Sequence, residues 1–364
     1  MCAGNGSLNC SPSKVGSRHV AGFSNFLKGG IVMPENALLE ISGLVKHFPL
    51  GGGMFSKPRA WVKAVDGVSF KVAKGETFGL VGESGCGKTT LGKLVLKLLD
   101  PTAGSIMING KDITHLSRAA IRPLRRQMQI IFQDPFSSLD PRMKIETIVT
   151  EPLRAYHRLS RKQRREQAEE LLRKVGLRAG DLDKYPHEFS GGQRQRIGIA
   201  RSLCVRPTLI VADEPVSALD VSIQAQVINL LEDLRDEFEL SYVFISHDLS
   251  VVEHMCDRIA VMYLGVIVEM APAGIFSTAS RHPYTRALLS AVPLPDPQRQ
   301  MPPVPLEGDV PSPVNPPTGC TFHTRCKYVY DRCRIERPSL EKVDGHHHVA
   351  CWLNQGAGIE GGEK

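Results

Sequence analysis

The octapeptide Gly82-Glu83-Ser84-Gly85-Cys86-Gly87-Lys88-Thr89 fits the spacing G-x-x-x-x-G-K-[ST]. Glycines in that pattern let successive backbone N–H groups turn inward as a nest for an anion, and a following helix adds its partial positive charge. Lys88 can then reach the β- and γ-phosphates of a nucleotide, and the hydroxyl of Thr89, with Thr90 beside it, can hold Mg²⁺. In such a loop the backbone amides do the binding, so the Cys86 side chain is incidental to it, though open to inhibitory alkylation. The reading requires a strand before the loop and a helix after it. Thr77-Phe78-Gly79-Leu80-Val81 is a short apolar run, and Leu91 to Leu99 is apolar at helical spacing.

The same chemistry needs groups from elsewhere in the chain. Ligands of open α/β sheets gather at the carboxyl ends of the strands. Met128-Gln129-Ile130-Ile131-Phe132 reads as a buried strand that runs into Gln133, and Leu209-Ile210-Val211-Ala212 ends in Asp213-Glu214. Tyr242-Val243-Phe244-Ile245 is followed by Ser246-His247-Asp248. Asp213 can hold Mg²⁺ through water. Glu214 is placed to polarise an attacking water as general base. His247 can hydrogen-bond a γ-phosphate, and Gln133 can contribute to the Mg²⁺ or the water. Taken singly, these residues also fit a capping Asp-Glu pair and a core histidine; their order and spacing make them one site.

Ser190-Gly191-Gly192-Gln193 offers a second anion site, because a serine N-cap and two glycine amides open a helix there. It lies roughly a hundred residues beyond the P-loop. One nucleotide would not touch both motifs within one chain. The economical arrangement is a head-to-tail pair, in which the loop of one subunit faces this motif of the other across the γ-phosphate.

The elements that must carry these groups follow from periodicity. Leu38–Val45 and Val68–Val72 read as strands around a Gly/Pro-containing loop, and Phe48 beyond the first of them is either an adenine-stacking ring or a buried core residue. From about 135 to 189 the pattern is helical: Ala168, Leu171, Leu172 and Val175 share a helix face, with Gly176 as its C-cap. Ile259–Tyr263 and Val266–Met270 read as a hairpin. Residues 1–36 read as a disordered extension, with Met33 a candidate start of translation. Val292–Pro317 holds ten prolines, which excludes helix and central strand and makes it an extended linker. Residues 354–364 read as a flexible tail.

With 42% hydrophobic and 23% charged residues, the 364-residue chain has an ordinary globular composition. It has no apolar run long enough to span a membrane and no signal-peptide core. A net charge of +7 is too mild to argue for nucleic acid. Of nine cysteines, Cys320, Cys326, Cys333 and Cys351 crowd the end of the chain. Their spacing, C-x5-C-x6-C-x17-C, is wider than that of common zinc modules and unlike ferredoxin runs. His346-His347-His348 beside Cys351 is a metal-competent tract, with surface histidines at a turn the preferred reading.

The order Phe48, GESGCGKT, Gln133, FSGGQ, LIVADE, SALD and His247 resembles the ATP-binding-cassette (ABC) ATPases over residues 38–275. Phe189 stands where Leu is commonest. The tail segments HPYTRALLSAVP and SPVNPPTGCTFHTRC are similar to those of ATP-binding subunits of the peptide/nickel class of bacterial importers, the dipeptide/oligopeptide "F" type above all. The resemblance implies an α/β P-loop NTPase of ABC type, with a RecA-like core, an antiparallel β-subdomain, a helical subdomain at about 135–189 and, after the cassette (37–280), a Cys-containing extension (281–353). It implies a peripheral ATPase on the cytoplasmic face of the inner membrane. Its partners would be a related "D" ATPase, two permeases and an extracytoplasmic peptide-binding protein. Gln133 and the residues from Asp134 to about Leu153 would receive the permease coupling helices, and Asp220 would meet the partner ATPase. In similar subunits the cysteine tail is associated with a [4Fe-4S] cluster; zinc and unliganded thiols stay open beside it. Dipeptides, longer peptides, nickel chelates and other small solutes all remain candidates for transport, peptide first. A soluble cassette acting on DNA or ribosomes is the competing class. The absence of long heptads between the motifs and the single cassette weigh against it.

Overall fold

Two sheets position the motifs in the computed structural model, which describes residues 37–51, 58–156, 159–291 and 308–355. The expected N-terminal extension, most of the Pro-rich linker and the tail beyond residue 355 lie outside the described residues.

β1 (Ala37–Leu50) and β2 (Ala60–Ala73) form a long antiparallel hairpin. β3 (Thr77–Val81) then runs into the P-loop and α1 (Lys88–Val95). β4 (Ala103–Ile108) and β5 (Lys111–Asp112) complete a four-stranded antiparallel sheet of order β2-β1-β4-β5. The hairpin strands are longer than their apolar runs predict. Their outer halves are half-exposed and mixed in polarity, and repeated register shifts break the alternation that marks a strand in sequence.

After α2 (Arg118–Ile121), β6 (Met128–Ile131) leads into the helical insert of α3 (Ile145–Tyr156) and α4 (Arg161–Lys174). α4 matches its sequence signals. Ser160 and Gln163 form a capping box, Ala168, Leu171 and Leu172 are buried, and Gly176 takes φ +76° just past the end. The chain continues through α5 (Gly191–Leu203), β7 (Leu209–Asp213), α6 (Val221–Phe238), β8 (Ser241–Ile245) and α7 (Leu249–Met255). β9 (Arg258–Tyr263) and β10 (Val266–Pro272) are the expected hairpin. Beyond them lie α8 (Ala273–Ala279), α9 (Pro283–Ser290), α10 (Asp331–Ile335), β11 (Glu341–Asp344) and β12 (His347–Val349).

The second sheet has the order β11-β12-β10-β9-β3-β8-β7-β6, with β9, β3, β8, β7 and β6 all parallel. β3, β7 and β8 are buried at every residue, which is why they read as unbroken apolar runs rather than alternating ones. Parallel strands send their carboxyl ends to one edge, so the segments that follow β3, β6, β7 and β8 meet there.

The C-terminal extension continues this same sheet: β12 pairs with β10 through Glu269–Val349 and Met270–His348. The junction is polar and buried. Glu269, fully buried, accepts from the amides of Arg281 and His282 and is hydrogen-bonded to His347 Nε2 at 2.5 Å. This corrects the reading of 346–348 as surface histidines, since His347 is buried to satisfy that carboxylate.

His282, also buried, caps α9 by accepting from the Tyr284 amide at its Nδ1. Burial pushes its pKa down to about 4 from 6.5. The unfolded chain therefore takes up a proton that the folded chain refuses, and stability falls as pH drops from 6.5 towards 4. The expected loss from this residue between pH 7.5 and 5.0 is about 2 kcal/mol. His282→Asn keeps an N-cap acceptor but cannot titrate. Urea unfolding at the two pH values should show the pH-dependent loss reduced by that amount; an undiminished loss would refute the assignment.

Candidate active site

The P-loop is wedged between strand β2 and the turn joining β9 to β10: the Gly265 amide donates to Cys86 O, and a Cβ at Gly82 would lie 2.1 Å from Met262 O. Lys88, the first residue of α1, is buried, and its ammonium donates to the carbonyls of Gly82 (2.7 Å) and Glu83 (3.0 Å). Gly85 and Gly87 take left-handed φ of +80° and +111°. Ser84 is exposed in the loop, whereas Cys86 is 3% exposed and burial raises its thiol pKa. Cys86 is therefore a poor target for alkylation in the folded chain, contrary to the sequence expectation.

The strand ends converge on this loop. Thr89 Oγ1 donates to Asp213 Oδ1 at 3.0 Å, joining α1 to the end of β7. Burial pushes the Asp213 carboxyl up; the Thr89 hydrogen bond opposes this, and the neighbouring Glu214 charge adds to it. A divalent cation between hydroxyl and carboxylate would favour the ionised form. Glu214 Oε2 accepts from Gln133 Nε2 at 2.9 Å and lies 3.2 Å from His247 Nδ1. Three residues following three adjacent parallel strands thus meet at one carboxylate oxygen. The Glu214 backbone is held too, with φ +47° and its amide on Ile245 O.

Ser190 caps α5 in a reciprocal box with Gln193. A Cβ at Gly192 would lie 2.5 Å from Ile223 Cγ2, whereas Gly191 has ordinary contacts with Leu219 and Phe136. The exposed Asp220 is the N-cap position of α6. Among the described residues, no hydrogen bond or ion pair joins Ser190, Gly191, Gly192 or Gln193 to the P-loop. Phe48 is half-buried outside the core, with Lys46 Nζ 5.0 Å from its ring centre, so the core alternative for it falls away.

The sequence reading missed two residues near the loop. Tyr284 Oη accepts from the Glu83 amide, and Arg325 forms a double hydrogen bond with the Glu83 carboxylate. Both come from the extension, within the segments HPYTRALL and CTFHTRC; the only sequence signal was a tyrosine and an arginine among otherwise apolar and cysteine-bearing residues.

Cys320, Cys326, Cys333 and Cys351 carry free thiols that line one small cavity with Phe322 and Trp352. Burial pushes the thiol of Cys320 up to about 11 and that of Cys351 up to about 12. The donor chemistry suits a soft metal. Yet among the described residues no three His, Cys, Asp or Glu side chains stand in a metal-holding arrangement, so the expected iron–sulfur or zinc site is not preformed.

Residues 65–217 match the family described as ABC transporter, and residues 268–333 match the oligopeptide/dipeptide transporter C-terminal region. The oligopeptide transport ATP-binding protein AppF of Bacillus subtilis is 50% identical over 324 residues, 88% of this chain and 98% of AppF. The chain belongs to the ABC transporter ATPases. A Sinorhizobium fredii protein named "Probable peptide ABC transporter ATP-binding protein y4tS" is 54% identical over 317 residues, 87% of this chain and 90% of that protein. Among solved structures, a dimeric ATP-binding cassette in a post-hydrolysis state with ADP and Pi aligns with a TM-score of 0.58 at 27% identity, covering 65% of this chain and 98% of that one. CbiO1 from Clostridium perfringens, part of the transporter complex CbiONQ, aligns with the same TM-score at 26% identity over 67% and 92% of the two chains. The ABC ATPase fold and the oligopeptide/dipeptide-type extension therefore occur together in this chain. No helix among its described residues is long and apolar enough to cross a membrane.

Proposed function

We propose that this ABC ATPase binds and hydrolyses ATP to drive uptake of oligopeptides or dipeptides through two permease subunits. The observation that carries the reading is the assembled strand-end site, Thr89–Asp213 and Gln133–Glu214–His247, on a cassette whose central sheet continues into a peptide-transporter extension. The extent of the cassette is read as 37–280, with the helical subdomain at about 135–189 and the extension at 281–353.

Each residue has a role in this reading. The amides of Gly82 to Thr90 and the Lys88 ammonium hold the phosphates, and Phe48 stacks on the base. Thr89, Asp213 and Gln133 would hold Mg²⁺, whose charge would neutralise the phosphates. Glu214 takes the proton of the attacking water, and Gln133 and His247 fix the direction of its carboxylate. Ser190, Gly191, Gly192 and Gln193 serve a nucleotide bound by a second cassette, with Asp220 beside that interface. That second cassette is read as a related "D" subunit.

The surface after β6 supports permease docking. Phe132 is 40% exposed and Phe136 56% exposed, with Arg201 and Arg194 over their rings. Large exposed aromatics beside arginines are the usual composition of a binding surface. The assembly then sits on the cytoplasmic face of the inner membrane, fed by an extracytoplasmic peptide-binding protein.

Reconstitution with the two permeases and the second ATPase tests the reading: peptide-loaded binding protein should stimulate ATP hydrolysis and drive peptide uptake. Stimulation by nucleic acid or ribosomes instead would overturn it. Uptake of nickel chelates in place of peptides would move it within the importer class. The finer proposal that the four tail cysteines hold a [4Fe-4S] cluster or zinc is supported by the facing of all four onto one cavity. Iron, sulfide and zinc contents of anaerobically purified protein decide it.

A further inference from the structure

Glu83, the first variable residue of the P-loop, is held on three sides. Its carbonyl accepts from Lys88 Nζ at 3.0 Å, its amide donates to Tyr284 Oη at 3.0 Å, and its carboxylate accepts from Arg325 at 2.7 and 3.2 Å. Arg325 lies 242 residues away in sequence, and its side chain is 5% exposed. It belongs to the turn between Cys320 and Cys326, which is anchored by the buried Phe322. The Phe322 ring packs on Tyr263 at 5.3 Å and on Tyr284 at 5.3 Å, so both contacts to Glu83 rest on one aromatic cluster.

We propose that the C-terminal extension is a working part of the ATP site: Arg325 and Tyr284 are positioning residues that hold Glu83, and through its carbonyl Lys88, in the phosphate-binding conformation. The proposal rests on the reading of this loop as the ATP site. Its physical basis is twofold. A carboxylate inside a phosphate-binding loop repels the ligand, and the arginine fork neutralises it while fixing its direction. The Tyr284 hydroxyl accepts one amide and so sets which way the neighbouring peptide units face. The extension thereby reaches the nucleotide indirectly, and the segment bearing Cys320 and Cys326 is mechanically joined to the P-loop.

The test uses the full chain, with MgATP as the probe. Arg325→Gln leaves Glu83 charged and unpaired beside the phosphates, and the Kd for MgATP is expected to rise about tenfold, with KM raised and kcat retained in the assembled transporter. Adding Glu83→Gln to that variant removes the unpaired charge and should bring the Kd back part of the way. A pair with only a structural role would lower the urea midpoint and leave the Kd of the folded protein unchanged. If Arg325→Gln fails to fold, Tyr284→Phe decides: it keeps the ring packing, deletes only the acceptor, and should weaken MgATP binding about threefold. Folded variants with a Kd within twofold of wild type, or losses that simply add in the double variant, would overturn the proposal. A wild-type chain that bound no MgATP would overturn the underlying reading of the loop, and is distinguishable because it fails before any substitution.

Discussion

Glu214→Gln is expected to lower steady-state ATP hydrolysis by a factor of about 10² to 10⁴, the range a positioned general base supplies, while MgATP binding persists. The substitution is isosteric, and an amide can still accept at its oxygen from Gln133 Nε2, now 2.9 Å from the carboxylate. What it removes is the group proposed to take the proton from water. It also removes the negative charge that raises the Asp213 carboxyl, so cation binding at Thr89 and Asp213 should not weaken. The readout is phosphate release measured beside equilibrium MgATP binding. In the proposed pairing of two cassettes across the nucleotide, ATP should hold them together once hydrolysis is blocked, which sedimentation can follow. Turnover at the wild-type rate would show that another group, with His247 the nearest candidate at 3.2 Å from Glu214, performs the proton transfer.

Gly87→Ala is expected to abolish nucleotide binding and to destabilise the fold by at least about 2 kcal/mol. Two independent costs act there. The backbone has φ +111°, and the new Cβ would lie 2.0 Å from Ala64 O on β2 and 2.8 Å from Met262 Cε. A backbone carbonyl of strand β2 cannot move as a side chain can, so the loop itself must shift. Because α1 begins at the next residue, Lys88, such a shift displaces the ammonium from the phosphate position. Gly85→Ala is the control. It shares a positive φ of +80° but meets nothing within 4 Å, so it should cost only the left-handed penalty of about 1–2 kcal/mol. Urea unfolding and MgATP binding of the two variants separate crowding from conformation. Equal effects would mean that contact with Ala64 is irrelevant.

Much of the site was legible because its groups are short polar segments directly attached to fully buried strands. Burial on both faces makes β3, β7 and β8 continuous apolar runs, and the polar residues that follow them must emerge at the same sheet edge when the strands are parallel. Thr89, Asp213, Glu214, Gln133 and His247 therefore assemble in the way their spacing predicts. Helix α4 was legible for a related reason, since capping box, apolar face and terminal glycine are all local signals. The outer halves of β1 and β2 were not, because half-exposed, bulged strands lack a clean period of two.

The extension marks the boundary between the two kinds of information. Chain order alone determined the strand–loop–helix of the P-loop, the carboxylates and histidine of the sheet edge, and the self-capped Ser190 turn, because each depends on neighbours within a few residues. Tertiary structure decided what those neighbours rest against. β12 is three residues long and has no periodicity to reveal it, yet it adds the extension to the central sheet. His347 looks like part of a surface histidine tract until Glu269, 78 residues earlier, is buried beside it. Glu83 looks like a filler position in the P-loop until Arg325 closes on it from 242 residues away. Buried charges must find partners, and the chain brings those partners from wherever the fold places them.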